Sequence, residues 1–303
     1  MKTAKFGLTL FVALSLVIFH SYSHWALASD LPAHDTRTPV LLELFTSEGC
    51  SSCPPADALL RQLDGAQPIP GAQVIVLSEH VDYWDHEGWK DAYSSRLFTE
   101  RQEDYERRFG LKSAFTPQMV IDGAKQTNGS DGPAVARAIE NVRSQAKIPI
   151  HISSVSVANT NTLRVHLVVE ALPADFKARK ADIFVAVALN EAQSHVSGGE
   201  NKGRDIRHVA VAESIDKVGT VATGRNFDRD VSVKLKSVKV KSTSDLANLR
   251  LIAFVQEPDA GEVVGAALVN ASLAAPTVDP STAGRTMADA SLPEPSTSST
   301  PVH

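Results

Sequence analysis

The first half of the chain alternates between short apolar runs and segments with helical periodicity. Val40 to Phe45 has the length of a strand and is followed by turn residues. A helix is predicted to begin at the two cysteines that come next and to end at Gly65. Val74 to Ser78 is a continuous β-favouring run, which is typical of a buried strand. The order strand, helix, strand predicts an α/β arrangement.

The same half contains further predicted helices and strands. A charge-rich amphipathic helix is predicted over Tyr93 to Phe109. Gln118 to Ile121 is predicted as a strand, and Lys125 to Thr127 as a possible edge strand. A closing helix runs from Asp131, a residue suited to an N-cap, to Ala146.

Beyond Ile148 the pattern changes to short segments in which apolar and polar residues alternate. Such alternation is typical of strands that bury one face, and turn residues separate the segments. Seven strands of this kind predict an all-β sandwich. They are Ile150 to Val157, Leu163 to Val169, Ile183 to Leu189, Val209 to Ile215, Val231 to Leu235, Leu251 to Val255 and Val263 to Val269.

The pattern therefore predicts two domains and a tail. Residues 38–147 form the α/β domain, and residues 148–274 form the β-sandwich domain. Residues 275–303 are rich in Pro, Ser, Thr and Ala, with few large apolar side chains to offset the entropy of ordering. We expect this last segment to be disordered.

The N-terminal segment predicts export. Positively charged residues precede an apolar run from Phe6 to Phe19, and the small-residue triplet Ala26-Leu27-Ala28 follows. This is the pattern of a secretory signal peptide, residues 1–28, cleaved after Ala28. The run is too short for a bilayer span, so we expect a periplasmic or secreted protein that does not span the membrane after processing.

Composition and charge narrow the expected partners. The net charge is -5, and no block of Lys or Arg stands out. Nucleic acid and anionic membrane surfaces are therefore not expected as partners. The sequence contains no phosphate-binding glycine loop or dinucleotide fingerprint, so no cofactor is expected.

The only two cysteines of the chain, Cys50 and Cys53, carry the predicted chemistry. Residues three apart are neighbours in a helical turn, so the pair can close a disulfide. A helix N-terminus lowers the pKa of Cys50, which makes it the nucleophile, and the more buried Cys53 resolves the mixed disulfide. This arrangement favours a thiol-disulfide oxidoreductase acting on a thiol- or disulfide-bearing protein or a small thiol.

Two alternatives remain open from the sequence. The disulfide can be purely structural, although closing so short a loop contributes only about 2 kcal/mol. Alternatively, Cys50 and Cys53 with His80 as a third donor would suit copper(I), with Asp82 and His86 as the other nearby donors. In that case the chain is a non-enzymatic thioredoxin-like module that delivers copper or zinc. A non-enzymatic module that only binds a partner, with the β-sandwich presented to it, is also open.

Several motifs resemble known proteins. Cys50-Ser-Ser-Cys53-Pro54 and the later Thr116-Pro117 resemble the thioredoxin superfamily. That resemblance implies a thioredoxin-like fold for residues 38–147 and a cis-proline that aligns a substrate peptide beside the cysteines. Longer motifs resemble the secreted family known as domain of unknown function 1223, which implies a fold more firmly than an activity. These motifs are Glu43 to Asp57, His80 to Asp85, Gly88 to Asp91 and Thr116 to Val120.

Further residues are candidates for proton transfer or for a substrate groove. Glu43, if buried, would have a raised pKa and accept a proton from Cys53, unless it is simply hydrogen-bonded in the strand. Glu79, His80 or Asp82 would move protons beside a wall containing Trp84. The alternative is a structural loop whose aromatic side chains cover the core.

A glycine-rich loop in the second half is a last candidate. Its polar residues Glu200, Asn201 and Arg204, with His208 nearby, either rest against the cysteine-bearing face or belong to an ordinary connection between strands.

Overall fold

A computed structural model describes residues 37–272 of this chain. The predicted signal peptide, residues 1–28, and the predicted tail, residues 275–303, lie outside the described residues. Within residues 37–272, no helix is both long enough and apolar enough to cross a membrane.

Every helix and strand expected from the sequence within this range is present, some with longer and some with shorter bounds. The helices are α1 (Pro54–Ala66), α2 (Arg96–Phe109) and α3 (Gly132–Val142). The strands are β1 (Thr38–Thr46), β2 (Ala72–His80), β3 (Gln118–Ile121), β4 (Lys125–Asn128), β5 (Ile150–Asn159), β6 (Thr162–Val169), β7 (Lys180–His195), β8 (Asp205–Ala222), β9 (Phe227–Lys234), β10 (Leu249–Gln256) and β11 (Val263–Asn270). A short 3-10 helix, Thr243–Asn248, precedes β10.

The assembly of these elements overturns the predicted fold class. Eight strands form one mixed sheet in the order β11-β10-β7-β8-β2-β1-β3-β4. Ser78 of β2 pairs in parallel with Val211 of β8, so the sheet continues from the first half of the chain into the second. The expectation of a thioredoxin-like α/β domain followed by a separate β-sandwich is therefore wrong. Its physical cause is the length of β8, which pairs with β7 along its length and reaches β2 as well.

The remaining strands form a smaller sheet. It has the order β5-β6-β9, and its apolar side chains share a core with β7 and β10 of the large sheet. Leu163, Leu167 and Val233 of the small sheet and Val185 and Leu251 of the large sheet are fully buried there. Two layers of sheet thus exist in this region, but one of them is the large sheet itself.

Alternation along β1 decides which candidate residues lie beside α1. Thr46 donates a hydrogen bond to Asp57 of α1. Glu43, an odd number of residues earlier, accepts one from Tyr105 of α2. Because neighbouring positions of a strand point to opposite faces, α1 covers one face of the sheet and α2 covers the other.

Candidate functional site

Cys50 and Cys53 form a disulfide at the start of α1. Their Cα atoms are 5.5 Å apart, and Cys53 is the N-cap of the helix. Both cysteines are fully buried, whereas Ser51 and Ser52 between them are exposed. The sequence correctly places the pair at a helix N-terminus, but it does not indicate that Cys50 is covered as completely as Cys53.

The first turn of α1 provides few free N–H groups that could stabilise a thiolate at Cys50. Pro54 and Pro55 have no N–H group. The N–H groups of Ala56 and Asp57 both donate to the carbonyl oxygen of Cys53. A thiolate at Cys50 would therefore gain more from the helix dipole than from direct N–H donors.

Glu48, two residues before the disulfide, connects several parts of the site. Its backbone N–H donates to Asp91 Oδ2 over 2.9 Å, and its Oε2 accepts a hydrogen bond of 2.8 Å from Trp89 Nε1. Its Oε1 lies 3.5 Å from Nε2 of His208. The side chain is fully buried, so these contacts fix a carboxylate behind the cysteine turn.

His208 of β8 lies between two carboxylates. Its Nδ1 is 3.6 Å from Asp57 Oδ1 in α1, in addition to the Glu48 contact. Burial lowers the pKa of His208, but the neighbouring carboxylates of Asp57 and Glu48 outweigh burial and raise that pKa to about 9. The imidazole is therefore protonated at neutral pH, and the site contains a buried cation beside Asp57, which lies one turn after Cys53 in α1.

A second buried histidine lies against the first. His80 and His208 have ring centroids 4.6 Å apart, and His80 Nδ1 is 2.7 Å from Asp91 Oδ2. Burial raises the pKa of Asp91, but the charge and hydrogen bond of His80, with the N–H groups of Glu48 and Tyr93, lower it to about 2. His80 thus joins the polar cluster behind the disulfide, here called the buried cluster: Glu48, Asp57, His80, Asp91 and His208.

Thr116 and Pro117, the residues predicted to align a peptide, are linked to the cysteine turn by Trp84. The Thr116-Pro117 bond is cis. Thr116 Oγ1 accepts a hydrogen bond of 2.8 Å from Trp84 Nε1. A Cβ atom on Gly49 would lie 3.2 Å from Trp84 Cβ, so the same residue also lies against the segment that leads to Cys50.

Glu43 and Glu79 lie on the opposite face of the sheet from α1. Glu43 accepts hydrogen bonds from Arg101 and from Tyr105, not from Cys53. Glu79 Oε1 is 3.8 Å from Arg101 Nε. Burial, followed by the charge of Glu43, raises the pKa of Glu79 well above its ordinary value despite Arg101. These two candidates belong to a buried network with α2 rather than to the disulfide.

Asp82 is hydrogen-bonded to the first turn of α2. Its backbone N–H donates to Thr99 Oγ1, and that hydroxyl donates back to Asp82 Oδ1 over 2.6 Å. The structure therefore places Asp82 in a contact that fixes the loop after β2 to α2.

The glycine-rich loop between β7 and β8 contacts the cysteine turn. Asn201 Nδ2 donates to the carbonyl oxygens of Glu48 and Cys50, each over 2.9 Å. Glu200 Oε2 accepts a hydrogen bond of 3.1 Å from the N–H of Ser51. Of the two sequence interpretations of this loop, contact with the cysteine-bearing face is the one that the geometry supports.

The metal-binding interpretation lacks a donor set. Among residues 37–272, no group of three or more His, Cys, Asp or Glu side chains is arranged to hold a metal ion. Cys50 and Cys53 are bonded to each other, and His80 is paired with Asp91.

Sequence reasoning missed Glu48, Asp57 and Asp91 as parts of the site. Asp57 has a signal in the sequence, because it lies one turn after Cys53 on the same face of α1. Glu48 and Asp91 have no such signal, since their roles depend on where β8 places His208.

Comparison with known proteins finds a matching family model and similar solved structures. A family model described as protein of unknown function (DUF1223) matches residues 41–256. A comparison with the curated proteins finds no match.

Two solved structures share this fold over most of the chain. A structural-genomics target from Agrobacterium tumefaciens is 24% identical with a TM-score of 0.57, and the match covers 79% of this chain and 96% of that one. HBP35 of Porphyromonas gingivalis is 15% identical with a TM-score of 0.57, and the match covers 80% of this chain and 78% of that one. At these identities the likeness concerns the fold alone.

Proposed function

We propose that this chain, which belongs to the DUF1223 family of proteins of unknown function, exchanges disulfides with thiol-bearing partners through Cys50 and Cys53. The observation that carries the proposal is a disulfide between residues three apart at the N-cap of α1, backed by a buried cluster of ionisable side chains. An oxidoreductase is the function that this combination supports best.

The sequence separation of the two cysteines argues against a purely structural bond. The separation is 3, so the loop is among the shortest that a disulfide can close. The chain-entropy model gives about 2 kcal/mol for such a loop, the low end of the range for disulfides. A bond that holds distant segments together would stabilise the fold more, and this bond joins only one turn to itself.

The surroundings of the disulfide are unusual for a structural bond in an apolar core. Glu48, Asp57 and His208 are buried as charged groups on the sheet side of α1. Burying charge is costly unless the charges are paired, and paired charges seldom exceed an apolar core in stability. Perturbed titratable groups in such a position are typical of reactive sites. We assign the buried cluster the role of holding charge and protons near the leaving sulfur.

Disulfide exchange takes two successive attacks by thiolates. A partner thiolate attacks Sγ of Cys50 and forms a new S–S bond, while the Cys50–Cys53 bond breaks and its electron pair leaves with Cys53. A second thiolate then attacks the partner sulfur of the mixed disulfide and releases Cys50 as a thiolate. Two partner thiols are oxidised to a disulfide, the protein disulfide is reduced, and the two protons pass to Cys50 and Cys53. The reverse sequence oxidises the protein.

Export is part of the proposal. The sequence pattern of residues 1–28 supports a signal peptide, and an oxidising compartment is where an exchangeable disulfide of this kind operates. Mass spectrometry of the protein recovered from the periplasm or medium should show an N-terminus at residue 29. An intact Met1 on the cell-associated protein would contradict export.

A redox titration tests the proposed exchange. The purified protein is equilibrated in glutathione buffers of graded potential, and free thiols are trapped and counted by mass. We expect both thiols to appear in one reversible transition while the protein stays folded, and Cys50→Ser to abolish exchange. Gly65→Ala, which adds a methyl group to α1 where nothing lies within 4 Å, is the control and should retain it. A disulfide that is reduced only when the protein unfolds would show a structural bond instead.

A further inference from the structure

We infer that the loop of residues 196–204, here called the covering loop, is an autoinhibitory contact that a thiol-bearing partner must displace to reach the disulfide. This inference rests on the proposed exchange function. The covering loop joins β7 to β8 and hydrogen-bonds to the cysteine turn, and both cysteines are fully buried.

Asn201 makes the central contact of the covering loop. Its side-chain amide is fully buried and donates one hydrogen bond to the Glu48 carbonyl and one to the Cys50 carbonyl. Both carbonyls flank Gly49 in the turn that carries the nucleophile. We expect a thiol that attacks Cys50 to displace this amide from the turn.

A second contact comes from the neighbouring residue. Glu200 Oε2 accepts the N–H of Ser51, which lies directly after Cys50. Asn201 and Glu200 together therefore satisfy two carbonyl groups and one N–H group of the cysteine turn. These are the kinds of groups that the backbone of a bound polypeptide would otherwise satisfy.

Glycines let the covering loop lie close to a second segment of the site. A Cβ atom on Gly198 would lie 2.3 Å from the carbonyl oxygen of Gly88, and one on Gly199 would lie 3.1 Å from Trp89 Cβ. Trp89 in turn donates to Glu48. The covering loop thus contacts both the cysteine turn and the aromatic segment beside it, which requires the absence of side chains at these glycines.

The covering loop is held by contacts that can be broken without unfolding the protein. Lys202, Gly203 and Arg204 are exposed, and Val196 is its one buried apolar residue within the described chain. Asn201 Oδ1 is buried and has no hydrogen-bond partner among the described residues, which penalises the closed position. Segments with few apolar contacts open at low free-energy cost. The loop also bonds to itself, from Gly203 N–H to the Val196 carbonyl, so it can move as a unit.

The rate of disulfide reduction in the folded protein tests this inference. Dithiothreitol is added to the oxidised protein without denaturant, and new thiols are trapped with a maleimide at successive times and counted by mass. Asn201→Ala removes both central hydrogen bonds, and we expect reduction to become about tenfold faster. Gly198→Ala places a methyl group against the Gly88 carbonyl and should accelerate reduction independently.

Matched controls separate loop opening from general destabilisation. Lys202→Ala changes an exposed residue of the same loop, and Gly65→Ala adds a methyl group where nothing lies within 4 Å. Both should reduce at the wild-type rate. Circular dichroism and the thermal midpoint identify any variant that fails to fold, and Asn201→Asp, which keeps the shape but loses the donor, replaces Asn201→Ala in that event.

The outcomes distinguish this inference from the proposed function. Wild-type rates in folded Asn201 and Gly198 variants would overturn the autoinhibitory contact, even if the glutathione titration shows reversible exchange. Accelerated reduction in both variants supports it. If the loop variants accelerate reduction but the disulfide does not exchange reversibly, the loop is a cover and the exchange function is wrong.

Discussion

At the scale of single residues, His208 is the group whose state most affects the site. It lies between Glu48 and Asp57, and both carboxylates are buried with it. One cation between two anions leaves the trio with net negative charge, and the His80–Asp91 pair lies beside it. Such a group of charges is stable only while His208 keeps its proton.

The pH dependence of stability tests the charge of His208. Its pKa is raised from 6.5 to about 9, so its contribution is fully present below 6.5 and is lost as pH rises through about 9. Over that interval we expect the wild-type unfolding free energy to fall by about 3 kcal/mol relative to His208→Gln. Denaturant titrations at a series of pH values measure the difference. Parallel curves for the two proteins over this interval would show that folding does not raise the pKa of His208.

Some features of the site can be predicted from the sequence, and others cannot. The cysteine spacing, the prolines after it and the Thr116-Pro117 pair can be read directly, because each acts through local geometry. The hydrogen bond to the Cys50 carbonyl comes from Asn201, about 150 residues away along the chain. A contact at that separation leaves no local pattern in the sequence, although the glycine-rich loop does mark a place where close approach is possible.

At the scale of elements, Lys147 ties three segments together. It follows α3 and donates to Asp122 Oδ2 in the β3–β4 turn over 2.8 Å and to the Val263 carbonyl in β11 over 2.7 Å. Asp122 also accepts the backbone N–H of Leu41 in β1. The buried Asp122 carboxylate thus connects β1 to Lys147, and Lys147 connects this turn to β11 in the second half of the chain.

Removing this lysine should destabilise the protein strongly. Lys147→Ala leaves the Asp122 carboxylate without its cation and the Val263 carbonyl without the ammonium donor, and we expect a loss of about 3 kcal/mol of unfolding free energy. Burial raises the pKa of Asp122 to about 6 against the opposing effect of Lys147, so the loss should shrink at more acidic pH, where this carboxyl is neutral. Lys125→Ala, at an exposed position in β4, is the control and should change little. Equal effects of both substitutions in denaturant titrations would contradict this role.

The elements themselves could be predicted because they depend on local periodicity. The predicted β3 bounds and the Asp131 N-cap of α3 agree with the structure. The strands β7 and β8 are longer than expected, since their ends carry polar residues such as Asp205 and Lys217 that weaken the apolar pattern. The residues at these ends, which the sequence pattern does not predict as strand, place the covering loop next to the cysteine turn. They are therefore the residues that matter for the site.

At the scale of the whole molecule, the large sheet makes the two halves interdependent. β2 is bounded on one side by β1 and on the other by β8. Across the same sheet, Gln256 of β10 donates to Tyr105 of α2, and Arg250 pairs with Asp64 of α1. The pattern Val74 to Ser78 correctly predicts a buried strand, but it cannot say which strand lies beside it.

This interdependence predicts the behaviour of a fragment. Residues 37–147 alone would expose the edge of β2. Tyr105 would lose its contact with Gln256, and Asp64 would lose its ion pair with Arg250. We expect this fragment to show no cooperative thermal unfolding by circular dichroism, whereas residues 37–272 should unfold in one transition. Cooperative unfolding of the short fragment would show that the first half folds independently.

The most direct test of exchange at the cysteine pair is to trap its intermediate. Cys53→Ser leaves Cys50 as the single thiol, and the purified variant is incubated with oxidised glutathione and measured by intact mass. We expect one glutathione to be attached at Cys50, with faster attachment when Asn201→Ala is added. A variant that stays folded and acquires no adduct even with the covering loop weakened would contradict attack through Cys50.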